Sequence, residues 1–341
     1  SVEHTMRVTM DIVNRYDIDG VAIDDYFYPY PKEGAAFPDD ESYARYVAKL
    51  RADAPPGTAV RPLTRTLWRE QNINNFVERF YTEIKAAKPH VLVGVAPFGI
   101  WRPGNPPGIK GMDAVAKLHA DAKLWLQQGW LDYLSPQLYW SVDSVDQNFV
   151  KLLLWWATQN TLERHLWPSI YTSRIGANTD DPSRNWIPAE IVRQIDVTRE
   201  RSGNPGFATP GQIHFSLKVF LENRGGINQS VMNRFPTAAL IPDSPWLADP
   251  LFAKMEWKAL IAGDTTRTAL AWMPWEFPLM PSRWMLQIRR AGQWTTAILP
   301  GTHAGATFES AGADAIVLTP ISRTGAFGRA RSWQTAPPSG N

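Results

Sequence analysis

Two neighbouring carboxylates, Asp24 and Asp25, follow the short apolar run 21–23. Such a run predicts a buried strand that ends at a loop, where a carboxylate can act as a nucleophile, a base or an acid. Because side chains alternate along a strand, the two carboxylates point in opposite directions, and Asp24 shares a face with the small residue Ala22. We therefore predict that Asp24 faces the substrate, and that Asp25 faces neighbouring helices or caps the turn. The alternative is that both carboxylates only cap turns or form ion pairs.

A second catalytic carboxyl group is needed where one residue gives a proton while another attacks or takes one. Beside Asp25, the candidates Asp143 and Glu70 rank equally. Glu70 precedes a predicted helix start, so its alternative role is to complement the helix dipole. Asp132 begins a predicted strand, which places it at the opposite end of the sheet, and we discount it. Two further candidates are Asp180 and Glu222.

Aromatic residues are abundant, with 16 Trp, 10 Tyr and 14 Phe, and many stand beside Pro and Gly in predicted loops. An exposed ring can stack on the apolar face of a sugar, whereas ordinary core packing is the alternative for each ring. Gln137 can bind a sugar hydroxyl, and Arg102 can bind a carboxylate such as the lactyl group of a muramic sugar, or form a surface ion pair. The predicted substrate-binding residues are Tyr26, Tyr28, Trp101, Arg102, Gln137, Tyr139, Trp140, Tyr171 and Arg174.

Strands and helices alternate over the first two thirds of the chain, which predicts parallel strands joined by right-handed crossovers. Apolar strands of this kind are buried on both faces, as in an open doubly wound sheet or a barrel. No glycine-rich dinucleotide fingerprint follows a strand, and polar residues crowd the strands' carboxyl ends, so we favour the barrel. The predicted strands are 20–25, 91–96, 131–139, 166–171 and 212–217. The main predicted helices are 2–16, 43–50, 72–87, 112–128, 149–159, 189–202 and 232–240.

A change of pattern from about Thr265 predicts a second domain, because short strands then follow one another with turns between them. This pattern is typical of a small all-β sandwich, and segment 321–325 resembles the last hairpin of a fibronectin type III-like module. The predicted boundaries are 1–262 for the barrel, 263–332 for the sandwich and 333–341 for a disordered tail. The predicted sandwich strands are 269–272, 284–289, 294–299 and 315–319.

Composition excludes several classes of site. The chain has no Cys, which excludes disulfides and thiolate metal sites and fits an envelope or secreted protein. A net charge of +2 gives no reason to expect nucleic acid or an anionic membrane as partner. No apolar run approaches the roughly 20 residues of a membrane span, and no signal peptide is present in this sequence. No His, Asp or Glu cluster has metal-ligand spacing, so we expect no metal or cofactor. Of the six His, His214 is the one on a predicted strand, and we predict that it is a core residue.

Four strings resemble the glycosyl-hydrolase-like ten family of bacterial envelope lipoproteins, which includes a divisome-localised hydrolase of peptidoglycan. They are IDDYFYPYP (23–31), VAPFGIWRP (95–103), YLSPQLYW (133–140) and FSLKVF (215–220), in the family's order. The frame 19–24 is similar to the strand-four motif that carries the nucleophile in α-amylase-type barrels. The resemblance implies a (β/α)₈ TIM-type barrel that cleaves cell-wall glycan with two carboxylates, Asp24 being one of them. It also implies a secreted or periplasmic location, with a lipid anchor as one form of it.

This sequence departs from the family pattern in two ways and from the α-amylase analogy in one. The family has about three more βα units before the strand of Asp24. We therefore expect a barrel that lacks its first strands in this chain. Because five strands leave sheet edges exposed, we also expect the chain to associate through those edges. Glu70 stands one position from the family's acidic residue, and segment 97–99 has no carboxylate where an α-amylase-like acid would lie. The rival hypothesis is therefore a glycan-binding envelope protein without catalysis. A third hypothesis is a transglycosylase or an enzyme that acts on α-glucans.

Overall fold

The computed structural model describes residues 2–33, 35–177, 185–201, 203–207, 211–263, 267–274, 280–309 and 311–334. The chain divides into two compact units, Ser1–Arg234 and Phe235–Asn341. In the described part of the chain, no helix has the length and apolar character that crossing a bilayer would need.

Helices and strands alternate through the first unit, as predicted. Its strands are β1 (Gly20–Ile23), β2 (Leu92–Val95), β3 (Tyr133–Leu134), β4 (His165–Leu166), β5 (Ser169–Ile170) and β6 (Ile213–His214). Its α-helices are α1 (Val2–Arg15), α2 (Asp40–Ala52), α3 (Arg65–Ala87), α4 (Ala114–Leu118), α5 (Ala122–Gln128), α6 (Phe149–Gln159), α7 (Pro188–Arg199), α8 (Lys218–Leu221) and α9 (Ile227–Met232).

The strands pair in parallel and in chain order. One sheet has the order β1-β2-β3-β4, and β5 pairs with β6. Single parallel bridges from Gln137 to Phe98 and to Ser169 continue the pairing from the first sheet to β5. The five predicted strand positions are therefore confirmed, with β4 and β5 as two halves of one of them. In the described residues no strand pair joins β1 to β6, so the pairing gives an array of parallel βα units, and barrel closure stays a prediction.

Helix α3 begins earlier than the sequence pattern predicts. The hydroxyl of Thr64 accepts a hydrogen bond from the Leu67 backbone N–H, which caps the first turn. The apolar stripe that faces the core continues through Val77 and Ile84, and the helix ends just before Pro89. Glu70 therefore lies inside the helix, and the prediction that it precedes the helix start is wrong.

Two other helix predictions need correction. The predicted helix 112–128 is broken into α4 and α5, because His119 adopts a left-handed conformation with φ of 54°. The predicted helix 232–240 is wrong, since α9 ends at Met232. Pro236 disfavours a helical conformation at the residue before it, which explains why the helix does not continue.

The core of the first unit is held by buried tryptophans that also make hydrogen bonds. Trp125 donates its indole N–H to Asn74 at 2.7 Å, and Trp156 donates to the carbonyl of Gly99 at 2.9 Å. Both side chains are fully buried among the apolar residues of the sheet and of helices α3, α5 and α6. A buried indole needs such an acceptor, so these two residues fix α5 and α6 against their neighbours.

The second unit is a two-sheet antiparallel sandwich, as predicted. The sheets have the orders β10-β9-β12-β13 and β11-β8-β7. Trp284 of the first sheet packs against Trp257 and Trp272 of the second, with ring centroids 5.1 and 5.5 Å apart. Its elements are α10 (Pro250–Lys254), β7 (Trp257–Gly263), β8 (Arg267–Pro274), β9 (Arg283–Arg290), β10 (Gln293–Pro300), β11 (Gly305–Glu309), β12 (Ala313–Ile321) and β13 (Arg331–Gln334).

The domain boundaries differ from the predicted ones at both ends of the sandwich. Phe252 and Trp257 belong to the sandwich core, and the division between the units falls after Arg234 rather than after residue 262. Trp333 lies in β13, paired with Ile316, although the sequence pattern predicts a disordered tail from residue 333. Residues 335–341 of that predicted tail lie outside the described residues.

Candidate active site

Asp24 lies at the carboxyl end of β1 with its carboxylate exposed and held in place. Its Oδ1 accepts a hydrogen bond from the Asp25 backbone N–H at 2.9 Å and another from the Gln137 side-chain amide at 2.8 Å. Ala22 and Asp24 are exposed, whereas Asp25 is only 2 % exposed, as strand alternation predicts. The carboxylate therefore has a fixed direction and faces outward from the end of the strand.

Gln137 positions Asp24 from the neighbouring part of the sheet. Its Nε2 donates to the Ala96 carbonyl at 2.9 Å as well as to Asp24, so both amide hydrogens are engaged. The strands approach closely here: a Cβ on Gly99 would lie 2.2 Å from the Gln137 carbonyl oxygen. The sequence predicts a sugar-binding role for Gln137, whereas in the structure one of its amide N–H groups holds the carboxylate and the other is bound to the Ala96 carbonyl.

Asp25 is buried and paired with Tyr30, which donates its hydroxyl hydrogen to the Asp25 carboxylate. Burial raises the pKa of Asp25, and the nearby charge of Asp24 raises it further, while the Tyr30 hydrogen bond lowers it. Burial also raises the pKa of Tyr30, so the phenol remains the donor. A carboxyl group with a raised pKa holds its proton to higher pH, which is the property that proton donation requires.

Tyr139 forms a ring cluster close to the two carboxylates. Its ring centroid lies 4.7 Å from that of Tyr171 and 5.7 Å from that of Phe215. Its hydroxyl lies 3.3 Å from the Ser169 hydroxyl. Burial raises the pKa of Tyr139 to about 12, and the charge of Asp24 adds to this shift. Tyr139 is therefore a hydrogen-bond donor at neutral pH. Phe215, about half exposed, is a ring that the predicted site residues do not include.

A large cleft opens beside Asp24. It has a volume of about 1150 Å³ and is lined by β1, the loop after it, α1 and α3. Tyr26, which is 72 % exposed, stands at this cleft with its ring 5.9 Å from that of Tyr30. Tyr28 lines the same cleft and packs edge-on against Phe37 at 5.0 Å. The cleft is at least as large as ordinary ligand pockets, and aromatic and charged side chains both contribute to its wall.

Trp101, Arg102 and Glu70 form a separate group on the loop after β2 and on α3. The Trp101 indole donates to Asp121 at 2.9 Å and stacks on Trp155 at 5.7 Å, and Arg102 lies over the Trp101 ring at 5.2 Å. Burial raises the pKa of Glu70, whereas the charge of Arg102 lowers it. Core packing therefore accounts for Trp101, and no contact in the described residues joins Glu70 to Asp24.

Two other carboxylates on the predicted list are held in ion pairs. Asp143 is 71 % exposed, and Arg193 donates to both of its oxygens at 2.6 and 2.9 Å. Arg193 thereby lowers the pKa of Asp143, which is opposite to what a general acid needs. Glu222 accepts from Arg224 at 2.6 Å, and its pKa is lowered for the same reason. Asp180 lies outside the described residues.

The remaining predicted residues pack around the strand ends. Trp140 meets Phe98 edge-on at 5.8 Å. Arg174 lies over the rings of Tyr171 and Trp186, at 5.1 and 5.0 Å.

Asp132 and His214, which the sequence analysis discounts as site residues, are both bonded to other parts of the protein. Asp132 is fully buried and accepts the Val93 backbone N–H at 2.7 Å. His214 lies 2.8 Å from the Thr172 hydroxyl through Nδ1, and burial lowers the pKa of this His to about 4. The described residues include no group of three or more His, Cys, Asp or Glu that could hold a metal ion.

Comparison with known proteins identifies similar sequences. A family model described as glycosyl hydrolase-like 10 matches residues 3–187. The glycosyl hydrolase YngK of Bacillus subtilis (strain 168) is 35 % identical over 244 residues, which cover 70 % of this chain and 44 % of that protein. The glycosyl hydrolase DigH of Escherichia coli (strain K12) is 33 % identical over 202 residues, which cover 56 % of this chain and 42 % of that protein. The chain thus spans less than half the length of these relatives.

Comparison with solved structures identifies limited likeness. Bee venom hyaluronidase in complex with a hyaluronic acid tetramer is 15 % identical, with a TM-score of 0.35, and the match covers 70 % of this chain and 74 % of that one. The FN3 domain of human collagen XX is 16 % identical, with a TM-score of 0.21, and the match covers 29 % of this chain and all of that one.

Proposed function

The chain belongs to the glycosyl hydrolase-like 10 family, as its four motifs predict, and we propose that it hydrolyses glycosidic bonds of polysaccharide strands at the site around Asp24. One observation carries this proposal: the Asp24 carboxylate is fixed by two donated hydrogen bonds at the mouth of a cleft of about 1150 Å³. Glycosidases need a carboxylate so placed against the sugar carbon that reacts. The curated relatives are themselves named glycosyl hydrolases.

In the proposed mechanism Asp24 is the ionised carboxylate that attacks the sugar carbon or activates a water molecule. The donors from Gln137 and the Asp25 backbone keep the Asp24 carboxylate aligned. The Tyr139 ring cluster offers a surface for a sugar ring, and the Tyr139 hydroxyl offers a donor for a sugar oxygen.

The second carboxyl group of the mechanism must hold a proton for the leaving oxygen. Of the candidates that the sequence names, Asp25 and Glu70 have raised pKa values, whereas Asp143 and Glu222 have lowered ones. Asp25 adjoins Asp24 in the chain, and we assign the acid role to it. Its carboxyl group is buried on the opposite face of the strand end with Tyr30 as its hydrogen-bond partner, so this role requires the side chain to rotate toward the cleft.

The proposed substrate is a bacterial cell-wall glycan, with peptidoglycan strands favoured. An enzyme acting on this polymer works outside the cytoplasm, so the proposal includes a secreted or periplasmic protein, lipid-anchored in one form. A chain without Cys fits that setting.

Glycan binding without cleavage is the second candidate function. One observation favours it: Asp143 and Glu222 are held in ion pairs, and no carboxyl group other than that of Asp25 is described next to Asp24. In such a protein the aromatic cleft would hold a sugar chain, and Asp24 would accept hydrogen bonds from sugar hydroxyls.

One experiment separates the two functions. The chain and its Asp24→Asn variant are incubated with peptidoglycan glycan strands, with and without stem peptides, and the products are identified by mass spectrometry. Cleavage by the wild type and none by the variant would support a glycosidase with Asp24 in its site. Retention of intact strands by both proteins, with no cleavage of these or of other polysaccharides, would support the binding function.

A further inference from the structure

A second cavity lies behind the wall of the Asp24 cleft, between α3, α4 and the loop that follows β1. It has a volume of about 540 Å³. Its lining contains three cationic side chains, those of Lys32, Arg69 and Lys117, and among the described residues it contains no carboxylate. Neither lysine has an ion-pair partner in the described part of the chain. The cavity is therefore basic, and we call it the basic cavity.

His119 is a polar side chain that lines the basic cavity and packs edge-on against Tyr28, with ring centroids 5.0 Å apart. It is only 4 % exposed, and its Nδ1 has no hydrogen-bond partner among the described residues. Buried polar nitrogens of this kind are rare. His119 also holds φ at 54°, at the position after a helix where glycine is the ordinary residue. The Nδ1 atom therefore gives the basic cavity a buried hydrogen-bonding group that a ligand can use.

Arg69 is oriented by a buried carboxylate. Its Nε and Nη2 donate to Asp39 at 2.7 and 2.8 Å, and its side chain is 18 % exposed. Arg65 donates to the same carboxylate at 3.1 Å, so one buried negative charge lies between two guanidinium groups. Arg69 keeps its Nη1 for an acceptor outside this pair, since none is described for it in the protein. The bidentate edge of the guanidinium is thus occupied by Asp39, and Nη1 is the donor left for an anion in the cavity.

The basic cavity is joined to the Asp24 site through three aromatic residues. Tyr28 and Phe37 line both cavities. Tyr30 lines the basic cavity and donates its hydroxyl hydrogen to Asp25. A sugar chain can therefore lie across Tyr28, with one ring near Asp24 and a neighbouring substituent in the basic cavity.

We propose that the basic cavity binds a carboxylate carried by a sugar of the glycan, with Arg69 and Lys117 holding the carboxylate and His119 a hydroxyl of the same sugar. This inference rests on the proposed function, because the sugar is part of the strand that reaches Asp24. A sugar carboxylate comes from one of two sources, the lactyl group of a muramic sugar or the ring carboxylate of a uronic acid. Both are small anions on a sugar ring that has an apolar C–H face, which suits the cationic and aromatic lining.

The test is a binding titration of the full chain, by NMR or calorimetry, with three sugars. N-acetylmuramic acid and glucuronic acid carry the two kinds of carboxylate, and N-acetylglucosamine is the neutral match of the first. The variants are Lys117→Gln, which removes one charge from the lining, and His119→Gly, which suits the left-handed backbone. Lys49→Gln, on exposed α2 with Asp53 as its ion-pair partner, is the matched control for loss of one positive charge.

We expect the wild type and Lys49→Gln to bind one of the acids roughly tenfold more tightly than the neutral sugar, a difference typical of one charged contact. Lys117→Gln should bring the acid and the neutral sugar to within about twofold of each other, and His119→Gly should weaken the acid about fivefold. The acid that binds identifies the source. Equal binding of acid and neutral sugar by the wild type, or an unchanged preference in Lys117→Gln, overturns the inference.

This titration and the glycan-cleavage assay together distinguish failure of this inference from failure of the proposed function. Asp24→Asn should keep the preference for the acid and lose cleavage. If this variant cleaves as the wild type does, the proposed hydrolytic site is wrong, and the binding data still decide the basic cavity. If cleavage depends on Asp24 but the wild type shows no preference for either acid, only the basic cavity is wrong.

Discussion

The side-chain amide of Gln137 donates a hydrogen bond of 2.8 Å to the carboxylate of Asp24 across 113 positions of the sequence. This bond joins the carboxyl end of β1 to the strand position that follows β3. Neither β1 nor the loop after it supplies a side chain that performs the same task for Asp24 Oδ1. The orientation of the candidate catalytic group therefore depends on the pairing of the βα units as well as on the Asp25 backbone N–H of its own loop.

Replacement of Asp24 by Asn should abolish glycan cleavage. An amide of the same size removes the charge that attacks or activates water, and we expect a loss of at least about a thousandfold in kcat, as for catalytic carboxylates in general. Because Asp24 is exposed, the free energy of unfolding should change by less than about 0.5 kcal/mol. Product analysis and thermal unfolding measure the two effects. Asp11→Asn on α1 is the control, and a loss of activity there would point to a nonspecific effect.

Gln137→Ala should reduce kcat more than it changes KM. Loss of the amide frees the Asp24 carboxylate to rotate, and misorientation of a catalytic group costs roughly 10- to 100-fold in rate. Steady-state kinetics on a soluble glycan oligomer gives both constants. Gln71→Ala, at an exposed position of α3 with Asn75 as its partner, is the matched control. A variant of Gln137 with wild-type kcat would show that this hydrogen bond has no catalytic role.

The acid role can be decided between Asp25 and Glu70. Asp25→Asn should lower kcat by about 100-fold or more if this carboxyl group protonates the leaving oxygen, whereas Glu70→Gln should lower it by less than about threefold. A substrate with an activated leaving group, such as a nitrophenyl glycoside that the enzyme accepts, should restore the rate of Asp25→Asn because it needs no proton. The reverse order of the two variants would move the acid role to Glu70.

Asp25 should also make stability depend on pH. Its pKa is raised by burial, so the folded protein holds this proton more tightly than the unfolded chain does. The contribution is complete below the unfolded pKa of about 3.9 and is lost as pH rises through the higher folded value. Urea unfolding between pH 3.5 and pH 7 should show a smaller decline with pH in Asp25→Asn than in the wild type. Identical pH profiles would contradict the raised pKa.

Gly99→Ala should destabilise the sheet next to the site. A Cβ at this position would lie 2.2 Å from the carbonyl oxygen of Gln137, so the two strands must separate. We expect a loss of about 1–3 kcal/mol in the free energy of unfolding, with reduced activity because Gln137 moves with its backbone. Gly20→Ala, with its Cβ 3.1 Å from the Leu92 carbonyl oxygen, is the milder reference. Equal unfolding midpoints for the two variants would exclude this close approach.

Sequence reasoning predicts the scaffold well because its signal is local. Apolar runs and helical stripes mark the strand positions, and alternation along β1 separates the exposed Asp24 from the buried Asp25. The early start of α3 escapes the pattern because its first turns, up to Trp68, carry little of the apolar stripe. The sequence pattern does not mark the helix break at His119, because a residue other than Gly is not expected to adopt the left-handed conformation.

The chemistry around the scaffold is harder to predict because distant residues set it. Arg193 lies 50 positions from Asp143, and its ion pair turns a candidate acid into a surface carboxylate. The pairing of Arg69 with Asp39 over 30 positions likewise has no sequence signature. Tyr30 is the exception, since the string 23–31 places a tyrosine within one loop of Asp25, where the hydrogen bond could be anticipated.

The two bonds from Gln137 Nε2, to Asp24 and to the Ala96 carbonyl, make this amide a spectroscopic reporter. Its two hydrogens lie in different surroundings, one against a carboxylate and one against a backbone carbonyl, so they should give separate nitrogen-correlated resonances. The resonance of the hydrogen that faces Asp24 responds to whatever approaches that oxygen. Binding of a sugar in the cleft can therefore be followed at a single nitrogen nucleus. The measurement needs no turnover, so it applies equally to an inactive variant and to a protein that only binds glycan.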